Sequence, residues 1–143
     1  MQQVYERHVE VPIRISKRAD EQTRLRRLER WPREAGESVV LDESGSTFRK
    51  LLQMYAADYK LEVGQRRWDV KSEGDAIRAR LDVALLRGGE VRGRAVMEAE
   101  IPKTPTGEEG ESLVYTARLR YYVEIDEGVL AEAAGSGFVE FPL

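Results

Sequence analysis

Few side chains in this sequence are of the types that do chemistry, and their spacing offers little. His8 is the only histidine, and cysteine is absent. An acid–base histidine needs a partner within hydrogen-bond reach. His8 lies in an alternating stretch where it points outward, with no partner that the sequence identifies, so it reads as a surface residue and no catalytic residue is assigned. One histidine without cysteine also argues against zinc, which wants three or four nitrogen or sulfur ligands. Gly88-Gly89 and Gly135-Ser136-Gly137 lack the Lys-Ser/Thr ending of a phosphate-binding loop. Gly107-Glu108-Glu109-Gly110-Glu111 does not follow the ligand spacing of a calcium loop and reads as solvated chain. No metal and no cofactor is expected.

Arginine is the commoner clue: only five of the 23 basic residues are lysines. That preference suits recognition of carboxylate or phosphate, and it also follows from GC-rich coding. Arg78, Arg80, Arg118 and Arg120 project from neighbouring segments on one side and are the candidate surface-interaction residues. An RNA-binding sheet would interleave such arginines with exposed aromatics. Only Tyr122 points outward there, and Asp82, Glu98, Glu100 and Glu124 sit among the cations. With a net charge of −3, a solvated charge ladder is favoured over a nucleic-acid surface, which wants an unneutralised basic stripe.

The opposite face carries small residues (Ala79, Gly93, Ala95, Ala99, Ala117) among Met97, Tyr115 and Tyr121. Small side chains let a helix approach closely or, where nothing fills the space, leave a cavity. Met97, Tyr115 and Tyr121 are therefore the candidate ligand-pocket residues. Packing by a helix over 21–31 is the competing expectation.

Three alternating segments position all of these residues. Residues 76–86, 91–101 and 113–125 keep apolar side chains at odd positions without losing phase, the pattern of a half-buried antiparallel meander. A three-residue loop, Gly88 to Glu90, pairs Arg78 with Glu100, Arg80 with Glu98, and Leu81 with Met97. The Pro102–Glu111 connection reads as a long, mobile loop. Upstream, residues 4–16 read as a strand, confined to a sheet edge by Pro12. Asp20 caps a helix from Glu21 to Trp31, ended by Pro32 and Gly36. A short strand is expected over 38–41. Residues 47–63 carry both periods: Ser46 could cap a helix there, but 54–63 is assigned to a strand turning at Gly64-Gln65, with 47–53 open. A helical turn or two over 129–134 and a last strand, Phe138 to Phe141, complete the chain.

The fold class is α+β: a curved antiparallel sheet of five to seven strands on one or two helices, in one domain spanning 1–143. In order of elements it resembles the helix-grip, hotdog and cystatin-like families, which wrap a sheet around a helix. No family motif accompanies that resemblance, and fold alone does not assign activity. No apolar run approaches the roughly 20 residues needed to cross a bilayer. The start lacks a signal-peptide pattern, so a cytoplasmic location is expected. The functional expectation is a non-catalytic binding or assembly protein acting through protein contacts and self-association. The alternatives are a small apolar-ligand binder or enzyme of the hotdog or helix-grip type, and nucleic-acid binding through the arginine face.

Overall fold

A computed structural model of the protein describes residues 1–135. The elements are β1 (Gln2–Ser16), α1 (Glu21–Ala35), a 3-10 turn (Gly36–Ser38), α2 (Phe48–Asp58), β2 (Glu62–Glu73), β3 (Ala76–Arg87), β4 (Glu90–Pro102), β5 (Gly107–Glu109), β6 (Ser112–Ile125) and α3 (Glu127–Gly135). This is an α+β fold. Its sheet runs β1-β6-β4-β3-β2 with every pair antiparallel, and β5 folds back onto β6. The sheet curls without closing, and β1 and β2 are its edges among the described residues. The expected strand Phe138 to Phe141 lies outside the described residues. No described helix is long and apolar enough to cross a membrane.

The meander keeps the register expected of it. Arg78 faces Glu100, Arg80 faces Glu98, and Leu81 faces Met97. Odd positions form the core: Ile77, Leu81, Val83, Leu85, Met97, Ile101 and Ile125 are fully buried. The helices cover this face with Leu28, Phe48, Leu51, Leu52, Val129 and Leu130, all buried. Pro12 sits on edge strand β1, where its missing N–H costs no ladder bond.

Several boundaries differ, each for a local reason. The β3–β4 turn has two residues, not three: Arg87 pairs with Glu90, and Gly88 and Gly89 both take positive φ, at 58° and 81°. Such a turn matches strand twist and suits glycine. The parity is restored by a bulge, since Leu85 faces Gly93 while Leu86 faces Val91. Val91, expected inside, is therefore exposed. The Pro102–Glu111 connection is pinned rather than free, because β5 pairs with β6 and Glu108 and Glu109 hold Lys17 and Arg14 of the β1 end.

The segment 54–63 is not a strand throughout: α2 runs to Asp58. Phe48, Leu51, Leu52 and Ala56 bury one helical stripe, and Thr47, not Ser46, caps it by accepting from the Lys50 N–H. It ends in a Schellman motif without glycine. Lys60 takes φ 55°, its N–H reaches the Ala57 carbonyl, and the Leu61 N–H reaches Ala56. Gly64-Gln65 is likewise no hairpin turn. It lies in a bulge within β2, whose turn into β3 is Gly74-Asp75. Residues 38–41 form no strand; a 3-10 turn leads instead into a loop closed by the Leu41 N–H on the Ser46 carbonyl. Pro32 does not end α1 but is buried inside its last turn.

Candidate interaction surface

Met97, Tyr115 and Tyr121 all lie inside the core, each no more than 1% exposed, but only two of them meet. Met97 faces Tyr121, whereas Tyr115 sits six residues back along β6 opposite Ile13. Tyr121 donates its hydroxyl hydrogen to the Gly36 carbonyl at 2.6 Å. Burial holds that phenol well above its ordinary pKa. The Arg24 guanidinium donates to the Tyr115 hydroxyl at 3.1 Å. Met97 packs so closely under the 3-10 turn that a Cβ on Gly36 would lie 2.7 Å from its sulfur. The space above the alanines is thus taken by α1 and the turn after it. Among the described residues, the Tyr5 hydroxyl alone is a buried side-chain polar atom without a hydrogen-bond partner. It lies on the core's rim beside the Tyr55 ring, 6.4 Å away between centroids.

Arg78, Arg80, Arg118 and Arg120 lie together on the opposite face and border one open groove of ≈ 430 Å³. Cross-strand pairing arranges that face in rows. From β2 to β1, one row reads Asp69, Arg80, Glu98, Arg120, His8, and the next Lys71, Arg78, Glu100, Arg118, Glu10. Glu98 accepts from Arg80 at 3.1 Å with one oxygen and from Arg120 at 2.9 Å with the other. Arg80 also reaches the Tyr122 hydroxyl, and the Arg120 guanidinium lies 4.2 Å above the Tyr122 ring. Tyr122 points to this face as expected but is covered by those arginines and nearly buried. The Arg118 guanidinium has no ion-pair or hydrogen-bond partner among the described residues.

His8 bonds Glu6 at 2.6 Å, and both are at the surface. That bond, with those from Arg120 and Gln3, holds the Glu6 carboxyl down at about 2. No nucleophilic side chain bonds to His8 among the described residues. Neither does any group of three or more candidate metal ligands occur among them. Carboxylates are interspersed among the cations across this face, with Lys71 beside Arg78 as an exception, so it offers a mixed ladder and no bare basic stripe.

The feature that sequence reasoning missed is the β2 edge. β2 pairs with β3 alone among the described residues, leaving a twelve-residue strand with one side open. Arg66 anchors it, bonding Glu37 at 2.9 Å; Glu37 is the one buried charged residue described. Trp68 and Val70 point inward but stay half-buried at the rim, while Arg67, Asp69, Lys71 and Glu73 are exposed on the outer face. Around the Gly64 bulge at the Arg66 end of β2, an open cleft of ≈ 670 Å³ runs past Trp68, Leu86 and the exposed Val91. The misplaced turn at Gly64 concealed this edge. The cue was the alternation from Arg66 to Glu73, which leads unbroken to Gly74. The chain matches no family model, no curated protein and no solved structure.

Proposed function

We propose that this protein is a non-catalytic binding and assembly protein that works through protein contacts, foremost with itself. The observation that carries this reading is the β2 edge, a row of backbone donors and acceptors along a long strand that no other described residue pairs. Such an edge invites another strand unless something covers it. The packed inner face removes the space on which an apolar-ligand site or a buried catalytic site would depend. The neutralised outer face likewise withdraws support from nucleic-acid binding.

Sedimentation equilibrium of the full chain over a wide concentration range tests this reading. A dimer that dissociates on dilution is expected. A folded monomer at every concentration would overturn self-association.

A further inference from the structure

We infer that the open edge of β2 takes β2 of a second copy, antiparallel, about a two-fold axis through Val70. The inference rests on the assembly reading above and adds where the copies meet and in which register.

The outer face of β2 carries Arg67, Asp69, Lys71 and Glu73 at alternate positions, with signs plus, minus, plus, minus. A strand pairing antiparallel with its own copy places residue i opposite a residue fixed by the position of the two-fold axis. Continuing the sheet without flipping its faces requires paired residues to share parity. With the axis at Val70, Arg67 meets Glu73 of the second copy and Asp69 meets Lys71, each twice. All four outer residues then face an opposite charge. Inside, Val70 meets Val70, and Trp68 meets Ser72.

Neighbouring registers fail. Moving the axis one residue sets like charges opposite one another within the strand: Arg67 against Lys71 and Asp69 against itself about Asp69, or Asp69 against Glu73 and Lys71 against itself about Lys71. Moving it two, to Trp68 or Ser72, keeps only two opposite-charge contacts. The same residues that guard the edge against arbitrary strands therefore favour one self-pairing, the register with the most opposite-charge contacts.

The surroundings fit that limit. The paired stretch is bounded by the turn at Gly74 and by the bulge at Gly64-Gln65. Its side chains are exposed and at most loosely held: the Arg67 guanidinium has no ion-pair or hydrogen-bond partner among the described residues, and Glu73 makes a 3.7 Å contact with Arg78 that a closer cation could replace. Asp69 and Lys71 are joined only by a loose contact of 3.5 Å within their own strand, with both side chains more than half exposed. The other edge is poorer, since Pro12 in the middle of β1 lacks an N–H to donate. A two-fold contact of β2 with β2 also closes on itself, whereas β1 on β2 would propagate.

Charge exchange at positions 67 and 73 tests the register. Arg67→Glu and Glu73→Arg, each alone, put two like-charged pairs into the homodimer and should weaken it roughly tenfold or more. Mixed in equal amounts, the two variants restore every opposite-charge contact and should form a heterodimer near wild-type affinity. Circular dichroism checks that each variant folds. Sedimentation of the variants alone, mixed, and against wild type reads the result. A wild-type dimer with variants that neither weaken alone nor rescue each other overturns this interface and leaves self-association standing. A wild-type monomer at every concentration overturns both.

Discussion

Replacing Tyr121 with Phe removes one oxygen from the centre of the protein and changes little else. The ring stays in place, 5.7 Å from the Phe48 ring between centroids. What disappears is the 2.6 Å bond to the Gly36 carbonyl, in a place where Tyr121 is fully buried and water cannot substitute. A buried acceptor left without its donor costs about 1–3 kcal/mol. For a chain of this length that corresponds to a fall in Tm of roughly 3–10 °C. Urea unfolding should show the same loss as a lower midpoint with unchanged slope, because the surface exposed on unfolding is the same. If the inner face were instead a wet cavity with Tyr121 at its lip, the hydroxyl would find water and the change would stay within ~0.5 kcal/mol. A Tyr121→Phe protein as stable as wild type would refute the packed-core description.

Three further outcomes follow from local geometry. Lys60→Gly should stabilise the fold by about 1 kcal/mol in urea unfolding, because position 60 sits at φ 55°, where a side chain is strained and glycine is not. Gly93→Ala should cost about 1–3 kcal/mol in the same assay, since its Cβ would lie 2.9 Å from the Glu124 carbonyl oxygen in the middle of the sheet. Glu6 should titrate by NMR with a midpoint at about 2, rising toward the ordinary carboxylate range in a His8→Ala variant. Because its folded pKa is depressed, Glu6 contributes stability above the ordinary glutamate range. That contribution fades as pH falls through that range toward 2.

The sheet was the legible part of this fold, because strict alternation over 76–125 leaves only one face to bury. It specified the pairs Arg80–Glu98 and Leu81–Met97 through a turn of the wrong length, since the bulge at Leu85/Leu86 restores the parity. Alternation carries no information where two periods coincide. Leu51, Tyr55 and Tyr59 fit a strand and a helix alike, and the usual glycine stop was missing because Lys60 takes the left-handed position itself. Gly64 misled for the converse reason: it accommodates the Ala84 carbonyl at a bulge, where a Cβ would come within 2.9 Å, and makes no turn. The four candidate arginines do share one face and one groove. Which strands would be edges followed only in part, because β1 joins β6 from the far end of the chain and β2 is thereby left outside.

Residue-resolved hydrogen exchange of β2, compared between concentrated and dilute protein, tests the central claim most directly. If the protein works through this edge, alternate backbone amides between Arg67 and Glu73 should be protected when concentrated and lose that protection on dilution. The amides of β4 should stay protected throughout. Exchange along β2 that ignores concentration while the protein is dimeric, or protection that appears along β1 instead, would contradict it.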